Sequence, residues 1–291
     1  MDSYTLAAAE RLTTRPARDY QHLSVQPLTP VIGAEVTGLD LSRPLDPEQL
    51  AEVKDAFLTH HVLVFRDQHL NPEDHKRFAG YFGQLRRAQR VAGDDRDPEV
   101  LDIRADGTSS FVDGNGWHTD GTADAEPSLG SMLYITRPPA IGSGGDTMWA
   151  NMHFAYEMLS PTMQAFLDTL TAVHDGLIPW QGYQPPPEYV IPKNEHPVVV
   201  RHPETGRKLL FVNPGFTSHI VQLSPDESRS LLDMLFAMVA TRPVLSCRVR
   251  WTPNTLVFWD NRCTQHHAIW DYYPHERYGQ RVSINGSRPT A

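Results

Sequence analysis

Apolar positions along the chain follow two rhythms. In four segments they recur every three to four residues behind a capping signal. Asp46-Pro47-Glu48-Gln49 provides an N-cap, a proline at the first helical position and a glutamine at the third. Leu50, Val53, Phe57 and Leu58 follow at helical spacing. Asn71-Pro72 opens a second helix expected to run to about Phe82. Ser160-Pro161 opens a third, covering Met163 to Leu170. Ser224-Pro225-Asp226-Glu227 is a capping box ahead of Leu231, Leu232, Leu235 and Met238. Elsewhere the apolar runs are short, β-branched or aromatic, and bounded by turn residues. They predict strands at Val62 to Phe65, Ser131 to Thr136, Pro197 to Val200, Lys208 to Val212, Cys247 to Trp251, Thr255 to Trp259 and Arg281 to Asn285.

Strands spread over the whole length, with helices grouped between them, do not make the βαβ alternation of a parallel sheet. No GxGxxG opens a helix behind a strand, so a dinucleotide fold has no support. The pattern predicts a mainly β protein with outer helices, a sandwich or jelly roll. Residues 1–22 are polar and of mixed charge and read as an N-terminal arm. Residues 23–291 read as a single domain. The Pro-rich, weakly periodic stretch 174–196 reads as a lid or loop insertion.

Composition narrows the class. The chain has 291 residues, a formal charge of -9 and 40% hydrophobic residues, enough for a sizeable core. No Lys/Arg run is present, which argues against nucleic acid or an anionic membrane as partner. A few buried arginines can still bind a small anion locally. Two scattered cysteines, Cys247 and Cys263, fit a reducing compartment rather than a disulfide scaffold. No signal-peptide pattern and no apolar run of membrane-spanning length is seen, so the expected location is cytoplasmic.

The densest polar feature is Gly114-Asn-Gly-Trp-His118-Thr-Asp120-Gly-Thr122. On a strand, His118 and Asp120 would share a face, which is half of a metal site. The other half is best sought in His266, which follows the apolar run Thr255 to Trp259. Two histidines and one carboxylate leave octahedral positions open, as Fe(II) oxygenases require. A His-x-Asp pair alone is common by chance, and so is the His266-His267 doublet. The sequel carries more weight: Arg277 and Arg281 lie 11 and 15 residues beyond His266, and Arg281 opens an expected strand. A planar guanidinium near a metal suits a carboxylate. Trp117, Trp149 and Trp259 flank the motifs and read as filling of the barrel.

Four stretches, WHTD (117–120), GGDTMWA (144–150), HPETGRKLLFVN (202–213) and WDNRCTQHHAIWDYYPHERYGQR (259–281), resemble the taurine dioxygenase/2,4-D dioxygenase (TauD/TfdA) family of Fe(II)/2-oxoglutarate-dependent enzymes. Weaker similarity begins near Val25 and covers almost all the chain. The resemblance implies a double-stranded β-helix (jelly-roll) core. It implies iron ligation by His118, Asp120 and His266, with His267 not a ligand. It places the distal carboxylate of 2-oxoglutarate on Thr147 and Arg277, and a substrate anion on Arg281. The implied reaction consumes O2 and 2-oxoglutarate, releases succinate and CO2, and hydroxylates a C–H bond. Asp120 points to hydroxylation rather than halogenation, which needs that carboxylate absent. If the oxidised carbon bears a heteroatom, the product can break at C–O, C–N or C–S. Family members are often dimers or tetramers, which makes a homo-oligomer the expectation.

One departure bears on the substrate. Sulfonate-specific relatives carry a His and a Tyr after the FG-x-L turn. Here, following Phe82-Gly83-Gln84-Leu85, those positions read Ala88 and Val91, which speaks against taurine. The expected substrate is a small anionic organic acid, an aryloxy acid or a sulfate ester, with Trp180, Tyr183 and Tyr189 offering an aromatic wall or ordinary packing. Two other readings stand beside this one. The same cofactor chemistry supports desaturation, cyclisation or epimerisation. A non-catalytic, cupin-like metal-binding protein would need no 2-oxoglutarate anchor such as Thr147 with Arg277.

Overall fold

The structure, a computed structural model, describes residues 2–13, 18–88, 95–112 and 114–291. The chain opens with α1 (Ser3–Thr13), β1 (Ser24–Pro27), β2 (Ala34–Thr37), α2 (Pro47–His60), β3 (Val62–Phe65), α3 (Pro72–Gly80) and β4 (Leu101–Ala105). Its middle holds β5 (Gly130–Arg137), β6 (Thr147–Asn151), α4 (Met152–Glu157), α5 (Pro161–Leu167), β7 (Thr171–Asp175), β8 (Lys193–Pro197), β9 (Val199–Arg201), β10 (Lys208–Leu210) and β11 (Thr217–Ile220). It ends with α6 (Pro225–Thr241), β12 (Ser246–Val249), β13 (Thr255–Asp260), β14 (Thr264–Ala268) and β15 (Arg277–Ile284).

The capping signals work as the pattern implies. The Asp46 carboxylate accepts the Gln49 N–H at 2.8 Å, and the Gln49 side chain accepts the Asp46 N–H at 3.1 Å. Asn71 and Asp74 make the same reciprocal pair ahead of α3. Each such cap is worth about 1 kcal/mol. Two helices stop earlier than their spacing suggests: α3 at Gly80 and α5 at Leu167. The expected strand Pro197 to Val200 is split at Val198. β8 pairs with β7, and β9 turns away to pair with β10.

Seven strands form the major sheet in the order β1-β2-β3-β13-β5-β15-β4, antiparallel except for the β2–β3 pair. The period of two sorts its side chains. Leu63, Phe65, Met132, Tyr134, Leu256, Phe258, Val282 and Ile284 face one way and pack under α2 and α3, against Val53, Phe57 and Phe78. Val62, Val64, Leu133, Ile135, Val257 and Trp259 face the other way. They share a core with Trp149 and Ala150 of β6 and Cys247 and Val249 of β12. The minor sheet β12-β6-β14 thus closes over the inner face of the major one. This is the double-stranded β-helix, the jelly-roll core with helices outside. Smaller sheets, β11-β7-β8 and β10-β9, extend it.

The arm and the Pro-rich stretch take definite form. Within residues 1–22, α1 buries Ala8 and Leu12 in the inner core cluster that contains α4. The ends of 174–196 are strand rather than loop, because β7 and β8 pair through Thr171↔Pro197 to Asp175↔Lys193. Only the connection between them leaves the sheet. It carries a short 3₁₀ turn, Ile178–Trp180, and its Tyr183 ring lies 6.0 Å from Phe111.

Candidate active site

His118 and Asp120 come together by a route other than the period of a strand. The segment around them is irregular, and its single ladder contact is the bridge between His118 and His266. The His118 N–H donates to the His266 carbonyl at 2.9 Å, and the His266 N–H donates back at 2.7 Å. A glycine-rich, polar sequence cannot sustain a buried strand, so β14 supplies the order instead. Gly114 takes φ +80°, a conformation that favours glycine, and a Cβ there would press on His118 Cε1 at 3.0 Å. Gly215 lies closer still: a Cβ would meet His118 Cβ at 2.6 Å.

The three side chains converge. Asp120 Oδ1 lies 3.6 Å from His118 Nε2 and 3.7 Å from His266 Nε2, and the two imidazole centroids are 4.0 Å apart. Ligand atoms on one octahedral face stand about 3 Å apart for metal–nitrogen bonds near 2.1 Å. The cluster therefore fits a cation with little movement. His118 Nδ1 is held by the Gly116 carbonyl at 2.9 Å, which fixes the tautomer and leaves Nε2 aimed at the cluster. The His266 ring packs beside both Trp149 and Trp259, with centroids at 6.4 and 5.0 Å. Burial holds the His266 imidazole well below its usual range, so it is neutral and able to ligate. Burial by itself would raise the Asp120 carboxyl. The Arg281 guanidinium and the histidines more than offset this and hold it well below the usual carboxylate range.

Asp120 is braced from several sides. Asn261 of the WDNR stretch accepts the Asp120 N–H at 2.9 Å and donates to the Asp120 carbonyl at 2.9 Å. Ser131 reaches Asp120 Oδ2 at 3.3 Å and shares a hydrogen bond with Ser283. Arg281 Nη1 donates to Asp120 Oδ1 at 3.1 Å. The pattern suggested a substrate role for Arg281. In the structure one arm of it positions the carboxylate, and its buried Nε has no partner. Asn261, Ser131 and Ser283 were not legible as site residues; only Asn261 lay inside a recognisable motif.

Thr147 and Arg277 meet on the same inner face. β15 begins at Arg277, four residues before the expected strand, so Arg277 and Arg281 share one face of one strand. Arg277 is 3% exposed, and its Nη2 donates to Thr147 Oγ1 at 3.4 Å. Its Nε has no partner, and its Cζ lies 5.3 Å from the Trp251 ring centre. Trp251, unsuspected from the sequence, also donates its indole N–H to Thr147 Oγ1 at 3.0 Å. Among the described residues no carboxylate forms an ion pair with Arg277. A buried, unpaired guanidinium is costly unless an anion completes it. The free end of a dicarboxylate fits that need.

His267 points elsewhere. Its Nε2 lies 3.4 Å from Asn115 Oδ1, and its ring meets Trp117 edge-on. The HPETGRKLLFVN stretch contributes no group to the cluster. Its His202 donates from Nε2 to Asp260 Oδ2 at 2.9 Å and so secures the start of the WDNR turn. Ala88 donates its N–H to the Pro98 carbonyl, while Val91 lies outside the described residues.

A jelly roll with two histidines and a carboxylate converging inside it, beside a buried guanidinium, is arranged for metal-dependent oxidation with a dicarboxylate cosubstrate. Residues 24–283 match the family described as Taurine catabolism dioxygenase TauD, TfdA family, and the chain belongs to that family. It is 34% identical to an alkylsulfatase of Acinetobacter baylyi, over 96% of this chain and 90% of that one. It is 32% identical to an alpha-ketoglutarate-dependent sulfate ester dioxygenase of Pseudomonas putida, over 92% and 91%. The crystal structure of a taurine dioxygenase from Burkholderia xenovorans superimposes with a TM-score of 0.80 at 38% identity, over 92% and 91%.

Proposed function

We propose that this oxidoreductase, an Fe(II)- and 2-oxoglutarate-dependent dioxygenase, hydroxylates the carbon next to the ester oxygen of small organic sulfate esters. The carrying observation is the His118, Asp120 and His266 cluster with Arg277 buried nearby, bonded to Thr147 and Tyr272 but, among the described residues, in no ion pair with a carboxylate. Fe(II) and 2-oxoglutarate, when bound, supply O2 activation coupled to release of succinate and CO2. The protein's own groups hold and orient. His118 Nε2, His266 Nε2 and Asp120 Oδ1 are the metal ligands in this reading. Arg277 and Thr147 take the distal carboxylate of 2-oxoglutarate, with Trp251 stacking under the guanidinium. Arg281 keeps Asp120 ionised and in place, and its Nε faces the substrate anion. Trp149 and Trp259 exclude water from behind His266.

Sulfate esters are favoured over sulfonates by two relatives that act on alkyl sulfates or sulfate esters along nearly their whole length, and by Ala88. Hydroxylation of the carbon bearing the ester oxygen gives a hemiacetal sulfate. Its C–O bond then breaks to leave an aldehyde and inorganic sulfate. The reading takes residues 23–291 as one oxygenase domain, with 174–196 as the segment over the site. It also takes the enzyme as a cytoplasmic homo-oligomer. The two cysteines are free and buried, which suits a reducing compartment.

The test is succinate and sulfate release from a panel of hexyl sulfate, 2-phenoxypropionate and taurine, with an anaerobic Fe(II)/2-oxoglutarate absorption band as the binding check. Hexyl sulfate should give succinate and sulfate in equal amounts. Sulfite from taurine with no turnover of alkyl sulfates would overturn the substrate class. A folded protein without the band would overturn the cofactor assignment.

A further inference from the structure

Behind the WDNR turn lies a second cluster of ligating side chains. His61, His153 and Cys263 are buried, and their candidate ligand atoms lie within 4.8 Å of one another. In a tetrahedral zinc site, bonds of about 2.0–2.3 Å put ligand atoms about 3.3–3.8 Å apart. A contraction of about 1 Å would therefore bring these three donors to the spacing of a tetrahedral site, with one position left to a fourth donor. The three residues come from distant parts of the chain: the C-terminal end of α2, the first turns of α4, and the link between β13 and β14.

The polar atoms here are unusually short of partners. Neither His61 nitrogen has one. His153 uses Nδ1 on the Lys208 carbonyl at 2.9 Å, which leaves Nε2 buried and unpartnered. The Cys263 thiol has only a distant contact, 3.9 Å, with the Asp260 carbonyl. Most buried polar atoms are satisfied, so three orphan nitrogens in one place call for a ligand. His61 caps α2 with φ 65°, in the left-handed region where glycine is the ordinary choice and histidine is one of the tolerated alternatives. Its backbone is locked there, because its carbonyl accepts the Asp260 N–H at 2.8 Å.

Neighbouring charge is suitable. His202 bonds Asp260, and the Asp260 carboxylate, within 4.8 Å of the Cys263 sulfur, is the nearest candidate for the fourth position. Asp260 and Glu204 are both paired with Arg262, and the nearby Arg207 is paired with Glu157, which leaves one net negative charge. A divalent ion bound to one thiolate carries one net positive charge. Burial keeps the free Cys263 thiol protonated, so ligation releases its proton to solvent.

We propose that His61, His153 and Cys263 form a second metal site that takes one Zn(II)-type ion in a structural role. The donor set of two imidazoles and one thiolate suits a borderline-soft ion. The Fe(II)-type cluster, with an oxygen donor and no thiolate, is chemically distinct. The ion would tie α2, α4 and the turn carrying Asn261 together, directly behind the residue that braces Asp120.

All three side chains are shielded from water, so the ion is loaded by refolding the full chain from urea with Co(II) or Zn(II) alone. Co(II) should give a near-ultraviolet thiolate charge-transfer band. That band should persist in His118→Ala and vanish in Cys263→Ala and in His153→Ala. Zn(II) should be retained by His118→Ala at one equivalent per chain after gel filtration and should raise its melting temperature. If a variant does not refold, wild type alone decides. Folded wild-type protein with no thiolate band and no zinc retained beyond the His118-dependent equivalent would overturn the proposal.

Discussion

Individual side chains carry separable jobs, and the differences between neighbours are the sharpest tests. His266 and His267 are adjacent, yet only His266 faces Asp120, while His267 faces Asn115 and Trp117. Replacing His118 or His266 by Ala should abolish 2-oxoglutarate-dependent succinate formation, and His267→Ala should keep most of it. Equal loss in all three would mean that the ligand is misassigned. Arg277 is expected to act on the cosubstrate rather than on the metal. Arg277→Gln removes one partner of a buried, charge-assisted contact worth about 2–4 kcal/mol, or roughly 30- to 1000-fold in the KM for 2-oxoglutarate. Fe(II) affinity, measured without 2-oxoglutarate, should be nearly unchanged. His118, Asp120, Thr147, His266, Arg277 and Arg281 stand out as candidates from spacing and resemblance. Their supports do not, because Asn261, Ser131, Ser283 and Trp251 are ordinary residue types whose meaning lies in what folds against them.

Elements decide how those side chains are presented. β15 starts at Arg277 and not at Arg281, so one strand with period two carries both guanidinium groups inward. Sequence pattern missed this start because Arg-Tyr-Gly-Gln is not an apolar alternation, and the pairing with β4 and β5 supplies the order. The WHTD segment is the opposite case. A strand would put His118 and Asp120 on one face, but the segment is irregular and is held by the His118 bridge to β14 and by side-chain contacts such as Thr119 to the Thr264 carbonyl. The turn after β13 depends on a fully buried pair, Asp260 with His202, and on Arg262. His202→Ala leaves Asp260 short of a partner in a dry environment and should cost about 3–5 kcal/mol of stability. Urea unfolding should show a lower midpoint at unchanged slope. A loss below about 0.5 kcal/mol would mean that Arg262 alone compensates Asp260.

Across the whole molecule, burial of titratable groups gives stability a direction in pH. Burial pushes His75 down to about 4 and His174 down to about 3. Unfolded, each would titrate near 6.5. The unfolded chain therefore takes up protons first as pH falls, and stability is lost between about pH 6.5 and the folded values. Above about pH 6.5 these two groups contribute no slope. Asp260 adds a loss at lower pH, since burial alone would raise it but Arg262 and His202 hold it below the carboxylate range. Urea midpoints taken from pH 7.5 to 4.5 should fall steadily below about pH 6.5, and a flat profile would show that these histidines are hydrated when folded.

The sequence by itself determined the class of the molecule and marked the candidate groups of its site. Capping boxes, alternating apolar runs and the fixed spacing of His118, Asp120, Thr147, His266, Arg277 and Arg281 are local properties, and local physics is written in neighbouring residues. Only the tertiary structure decided how they act. It set the pairing of an irregular loop with β14, the inward turn of Arg277 without a carboxylate, and the engagement of Arg281 with Asp120. It also gathered His61, His153 and Cys263 in one place. Those outcomes depend on which distant surfaces exclude water from each other, and contacts between residues far apart in sequence leave no periodic signature along the chain.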